Sequence, residues 1–384
     1  MQLIYINAIQ SFSSLGNDSD QVWHSYLSEE TFIKSKEIGK KNIFVNALND
    51  AQNIEIKQFI EANSIYKNLD PTVIYALICA RKTIEKSGWK SHDYGINIAS
   101  SRGATQLFEA HYQEFIQENQ TPVLSSPSTT LGNISSWVGQ DLQNRGVHFS
   151  HSITCSSALH AVLNGVAWLQ SNMAAHFLVG GAEAALTPFT IAQMQALKLY
   201  SKETLPYPCR SLDFTKKTNT LVLGEGAVMA ALSKEKTENT MAKISGVGFA
   251  TEILKNAVSL SSEGICLEKS MRLALQNHDL KTIDAIVMHA PGTIQGDNSE
   301  YNAIQNIFQS NLPLVTSNKW KIGHTFGASG LFSLEMALLM IQNQYFIEVP
   351  FVNINTKKKE KLNKILINAV GFGGNAVSIL VERV

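Results

Sequence analysis

Cysteine is scarce in this chain: four in 384 residues, at Cys79, Cys155, Cys209 and Cys266. No two form a CxxC pair, which argues against a disulfide or metal framework. Reduced thiols in a cytoplasmic protein are the simplest reading. Net charge is missing too. Thirty-two basic residues balance 32 acidic ones, so nothing draws the chain as a whole to nucleic acid or to an acidic membrane. The start, MQLIYINAIQ, has no basic segment ahead of a long apolar one, which argues against a secretory signal. Unbroken apolar runs are lacking: Glu225 interrupts LVLGEGAVMAAL and Glu335 interrupts GLFSLEMALLMI, so neither reads as a membrane span. GASG, residues 327–330, lacks the Lys-Ser/Thr end of a phosphate loop. GFGGN, residues 371–375, falls between two strands and is a poor dinucleotide fingerprint.

What is present is a globular composition, 44% hydrophobic and 17% charged, long enough for one large domain or two ordinary ones. MQLIYINAI reads as an opening strand, Asp18 to Leu27 as a helix, and residues 43–63 as a weak strand and a polar helix. DPTVIYALICARKTIEKSG has proline near its start, apolar residues at helical spacing and glycine after its last turn, the marks of a helix from Asp70 to Ser87. DYGINIASSRG and IDAIVMHAPG read as buried strands running into turns. ATQLFEAHYQEFIQE, SSEGICLEKSMRLALQNHD and GASGLFSLEMALLMIQ read as helices. AHFLVGGAEAAL suggests a strand followed by a glycine pair. TNTLVLGEGAVMAALS and MAKISGVGFA suggest strands of a second sheet region. KILINAVGFGGNAVSILVERV closes the chain as two strands around a glycine turn. Strands alternating with helices predict an α/β fold with buried sheets. TKKKEKLNK, from Thr356, reads as a solvated loop, with a docking patch for an acidic carrier as its functional alternative.

Three residues carry candidate chemistry. Cys155, in ITCSSALHA, lies where an extended piece meets a helix. Unpaired N–H groups and the positive dipole end there favour thiolate, which predicts a lowered pKa and a better nucleophile. An inert buried cysteine is the plain alternative. The apolar helix beyond it predicts burial in a core. His289 closes the strand AIVMHAPGT, and His324 in KIGHTFGASG stands where a loop meets a helix. Strand ends of α/β sheets gather active sites. A zinc site made by the three has no local ligand spacing in its favour.

With these residues collected, the chain resembles the β-ketoacyl-[acyl-carrier-protein] synthases, the elongating condensing enzymes of the thiolase superfamily. The resemblance runs from SFSSLGNDSDQVWHSYL through NISSWVGQ, TCSSALHA, GGAEAALTP, CRSLD and LGEGA to HAPGTIQGDNSE, KWKIGHTFGASG and GFGGN. It implies duplicated βαβαβαββ halves, residues 1–235 with the nucleophile and 236–384 with both histidines, forming a five-layer αβαβα core. It implies a homodimer, or a heterodimer with a ketosynthase-like subunit. It makes the two strands that end in glycine motifs counterparts.

The resemblance also implies roles. Cys155 carries the acyl group as a thioester, and a malonyl unit arrives on acyl carrier protein. No metal or other cofactor is needed, because both substrates ride on the carrier's phosphopantetheine. His289 and His324 hold the malonyl thioester oxygen through Nε2–H. Backbone N–H groups of Cys155 and Phe372 form a second oxyanion hole, and Phe372 gates the tunnel. Lys319 orders the histidine loop. Thr293, Asp297, Glu300, Gly373 and Gly374 support the loops or the substrate.

The sequence departs from the family at three places. Ser333 stands nine residues past His324, where the family commonly has glutamate. Glu335 lies two further on, on a different helix face, so the lysine network must be rearranged or lack an arm. The first histidine motif reads HAPGT where HGTGT is usual, and GFGGNA lacks the usual threonine. These changes suggest a specialised polyketide or polyene route over housekeeping fatty-acid synthesis. The competing reading is a non-catalytic partner subunit, like a chain-length factor, that shapes the tunnel of a true ketosynthase; its usual lack of a reactive cysteine counts against it. A degradative thiolase would present a second catalytic cysteine, and Cys266 has no suitable motif.

Overall fold

The expected helix forms over Pro71–Ser87, here called α1. The Asp70 side chain caps its first turn, proline occupies that turn, and Gly88 ends it at φ 69°. Each feature relieves a helix end that would otherwise leave backbone groups unpaired. The computed structural model describes residues 3–384 apart from 91, 132, 254–259 and 356–358.

Ten strands carry the core: β1 (Ile4–Phe12), β2 (Gly95–Ala99), β3 (His148–Phe149), β4 (His176–Glu183), β5 (Gly226–Ser233), β6 (Ala242–Thr251), β7 (Ala285–Val287), β8 (Leu314–Thr316), β9 (Lys364–Gly371) and β10 (Asn375–Glu382). They pair in the order β8-β7-β9-β10-β6-β1-β5-β4-β2-β3. The first five, read outward from β1, run β1-β5-β4-β2-β3. The last five repeat the pattern as β6-β10-β9-β7-β8. Pairing senses repeat as well: β4 with β2 and β9 with β7 are parallel, while β4 with β5 and β9 with β10 are antiparallel. The two sets meet where Ile4–Ile6 pairs with Ala242–Ile244. The strands expected to be counterparts, β4 and β9, hold the same place in each set.

Four more helices complete the layers and the site: α2 (Ser157–Gln170), α3 (Ile265–Leu275), α4 (Ile294–Phe308) and α5 (Ser329–Asn343). α1 covers β1, β4 and β5 from outside, and α3 covers β6 and β10. α2 and α5 touch each other and strands of both sets, which makes them the middle of five layers. Their composition explains the position. Every residue of α5 from Ser329 to Ile341 is buried, and a helix apolar around its whole circumference is stable only when enclosed. Leu159, Val162 and Val166 of α2 are buried against the same cluster, each stabilising the fold by about 1.5–3 kcal/mol.

Two expectations change. Gly180 and Gly181 lie inside β4 and do not follow it. The reason is close packing: a Cβ on Gly181 would come 2.8 Å from both Ala158 Cβ and Ala328 Cα. GAVMAALS does not join a second sheet with MAKISGVGFA. It pairs with β1 and β4, because the chain passes from the first set to the second only after β5. In the lysine run, Lys359 pairs with Asp284 at 3.1 Å, and residues 356–358 lie outside the described residues.

Gly181→Ala is expected to destabilise the protein by about 1–3 kcal/mol through overpacking, read as a lowered urea midpoint. An unchanged midpoint would refute the packing argument.

Candidate active site

The turn before α2 sets the first reactive group. Thr154 has φ 49°, a left-handed backbone that a β-branched residue rarely adopts. Ser157 Oγ accepts the Ile153 N–H at 2.8 Å and locks the turn, leaving Cys155 buried just ahead of the helix. The glycine turn after β9 abuts this segment. A Cβ on Gly371 would come 1.9 Å from Thr154 Oγ1 and 2.9 Å from Cys155 N, and Thr154 Oγ1 donates to the Phe372 carbonyl at 3.1 Å. Gly373 and Gly374 take φ 90° and 73°, which glycine alone adopts readily.

His289 follows β7. Glu300 of α4 reaches back and accepts the His289 N–H at 3.0 Å and the Ala290 N–H at 2.9 Å. Asp297 accepts the N–H groups of Gly292 and Leu212, both at 3.0 Å, and the Lys216 ammonium at 2.7 Å. Thr293 caps α4. These acids therefore hold the histidine loop from beneath. In that loop Ala290 has φ 27°. His324 is fixed through its backbone, its N–H donating to Val222 O at 2.6 Å.

These elements converge. Cys155, His289, His324, Thr293, Gly371 and Phe372 line one cavity of about 260 Å³, and the two imidazole rings lie 5.1 Å apart at 84°. Both rings are buried, with Nδ1 atoms that find no partner among the described residues. Burial drives His289 well below the usual histidine range, with the neighbouring His324 and Lys319 adding to the drop. Burial, with Lys319, lowers His324 to about 3. Both are neutral at pH 7. A proton on Nδ1 would be a buried unpaired donor, costing about 1–3 kcal/mol, so the favoured tautomer carries it on Nε2. The site can hold an acyl group on sulfur and offer two neutral N–H donors to one developing oxyanion.

The thiol departs from expectation. Burial pushes Cys155 up to about 12, and Glu183 adds to the rise, while Arg102 and Lys319 oppose it. Loss of water is the largest cause of the rise. Glu183 was not singled out as a site residue, although a lone acid in the apolar stretch FLVGGAEAAL was a visible signal. Its carboxyl, raised by burial to about 7, accepts the N–H groups of Ser101 and Gly327 and ties the β2 end to the segment after His324. The apolar lining also takes in Met194, Leu197 and Leu199, from the end of the helix Pro188–Ala196 and the turn after it, and Leu221; no motif in the sequence marks them. Lys319 is fully buried behind the cavity and does not line it. Glu335 does not reach it; Lys319 Nζ has Asn318 Oδ1 at 2.9 Å and Ser333 Oγ at 3.5 Å. Cys79, Cys209 and Cys266 do not line the cavity. Among the described residues no group of three or more His, Cys, Asp or Glu is placed to hold a metal ion, and no helix is long and apolar enough to cross a membrane.

The chain is 25% identical over 416 residues to 3-oxoacyl-[acyl-carrier-protein] synthase 1 of Buchnera aphidicola subsp. Baizongia pistaciae, covering 100% of both. Its fold matches the ishigamide ketosynthase/chain length factor with a TM-score of 0.86 at 15% identity, covering 100% of this chain and 99% of that one. It matches a type II PKS acyl-carrier protein complex with its ketosynthase at a TM-score of 0.85 and 17% identity, with coverage of 100% and 99%. The β-ketoacyl synthase N-terminal domain model matches residues 4–238 and the C-terminal domain model residues 241–354, so the chain belongs to the β-ketoacyl synthase family.

Proposed function

We propose that this protein is a ketosynthase that condenses a Cys155-bound acyl group with a malonyl unit on acyl carrier protein, with loss of CO2. The carrying observation is the convergence of Cys155, His289 and His324 on one apolar cavity. In the first step the sulfur attacks an acyl-carrier thioester. The new thioester forms on Cys155, and the thiol proton leaves with the carrier's sulfur. That balance suits a resting thiol held protonated. Backbone N–H groups of Cys155 and Phe372 serve as the oxyanion hole for this step.

In the second step the malonyl C–C bond breaks, CO2 departs, and the electron pair becomes an enolate. Nε2–H of His289 and of His324 stabilise its oxygen. The enolate carbon attacks the Cys155 thioester, and the released thiolate takes up one proton. Phe372 gates the mouth of the cavity. Thr293, Asp297, Glu300, Gly373 and Gly374 keep the flanking loops in place, and no metal enters the chemistry. We read residues 1–235 and 236–384 as the two halves of the chain, and the working unit as a cytoplasmic dimer that docks acyl carrier protein. Retention of Cys155 favours this reading over a non-catalytic partner subunit.

Intact-protein mass spectrometry after incubation with a panel of acyl-carriers tests it. A mass gain equal to one acyl group, mapped to the Cys155 peptide, is expected. Acylation of a different side chain in a fully active protein would end the proposal. A heterodimer whose product formation is unchanged by Cys155→Ala in this chain would favour the partner-subunit reading.

A further inference from the structure

Phe326 is buried and lines the cavity with Cys155, and the two belong to one apolar cluster with Met194 and Leu221. Its backbone is left-handed, at φ 42°, a conformation that costs a bulky residue free energy and persists only where the surroundings enforce it. Here Glu183 enforces it. The Glu183 carboxyl accepts the N–H groups of Ser101 and Gly327, and these two residues adjoin Arg102 and Phe326 in the chain. One buried acid therefore sets the arginine against the ring. The packing is close: a Cβ on Gly327 would come 2.6 Å from Ser101 N.

The guanidinium carbon of Arg102 lies 5.0 Å from the Phe326 centroid, within cation–π range. Its Nη1 donates to Gln193 Oε1 at 2.5 Å. Gln193 precedes Met194 on the helix Pro188–Ala196, and Met194 lines the cavity. Arg102 itself does not line it. The arginine thus stands outside the cavity and ties two of its walls together. The Phe326 ring also meets the His324 ring, at 5.7 Å, which leaves it little room to turn aside. An alkyl chain that displaced the ring would break the stacking on Arg102 and lay methylene groups against a half-buried charge, which gains no partner in exchange.

We propose that Phe326 and Arg102 are specificity-determining residues that close the acyl end of the cavity, so that Cys155 carries short acyl groups and excludes long alkyl chains. This rests on the condensing-enzyme reading above. The size of the cavity points the same way, since about 260 Å³ has to serve the acyl group and the carrier's arm together.

The test is a competition. The protein is mixed with equal amounts of acetyl-, butyryl- and decanoyl-carriers, and the acyl groups on Cys155 are counted by intact mass at early times. The wild type is expected to load acetyl and butyryl about 100-fold or more faster than decanoyl. Phe326→Ala, checked for folding by circular dichroism, is expected to raise the decanoyl-to-acetyl ratio about tenfold or more. Adding Arg102→Leu is expected to raise it further, because the chain then meets an apolar end. The ratio is taken within one protein, so a loss of folded fraction cancels, and a merely structural role would leave it unmoved. A wild type that loads decanoyl as fast as acetyl would overturn the proposal whether or not the variants fold. A ratio unchanged in folded Phe326→Ala would do the same, and a double variant no different from Phe326→Ala would overturn the part given to Arg102. Failure of Cys155 to load any of the three would instead strike the condensing-enzyme reading, so the two failures are distinguishable.

Discussion

Cys155→Ala is expected to abolish condensation, with a loss on the order of 10⁴-fold or more, because the covalent intermediate has nowhere to form. Decarboxylation of malonyl-carrier is expected to persist. That step needs a polarised thioester oxygen, and His289 and His324 remain in place to supply it, with rings 5.1 Å apart at the cavity wall. Parallel assays of CO2 release and product formation separate the two. The side chain removed is small and Cys155 stands outside α2, so folding is not at issue. Product formation near the wild-type rate would refute the role of Cys155, and loss of CO2 release along with condensation would show that the thiol also serves the histidine step.

His289→Ala and His324→Ala are each expected to lower the condensation rate about 100- to 1000-fold, the usual cost of removing one donor from an oxyanion site. Cys155 should still load in both, since the proposed mechanism assigns that step to backbone N–H groups and not to the imidazoles. The two substitutions are expected to be non-additive. Neutral rings that donate to one oxygen act as a unit, so the double variant should lose much less than the product of the single losses. Single-turnover measurement on acyl-loaded protein gives the relevant rate. Fully multiplicative losses would place the histidines on different atoms of the substrate, and a single variant with unchanged rate would remove that ring from the mechanism.

Much of the fold was legible because local chemistry agreed with tertiary need. α1 carries its own cap, proline and glycine. α5 is so uniformly apolar that only the centre of the molecule can hold it. The strands around GFGGN were clear from β-branched residues on either side of a glycine turn. Where local signals conflicted with packing, packing prevailed. The glycine pair at 180–181 looked like a turn, yet stays in the strand because Ala158 and Ala328 press against it. GAVMAALS gave no hint of its partners, since one of the two, β1, lies more than 200 residues away.

The sequence by itself determined which groups are the candidates for the chemistry, a thiol ahead of an apolar helix and two histidines in ordered motifs, and that a serine stands where a carboxylate was expected. Only the tertiary structure decided what surrounds them. It brought the thiol and the rings to one cavity from three distant segments. It turned the shift of Cys155 upward, against expectation, because burial removes water from the thiolate and Glu183 adds to the rise. It also turned Glu335 away from Lys319. Burial, charge compensation and distance are properties of the whole packed chain, and no stretch of sequence holds them locally.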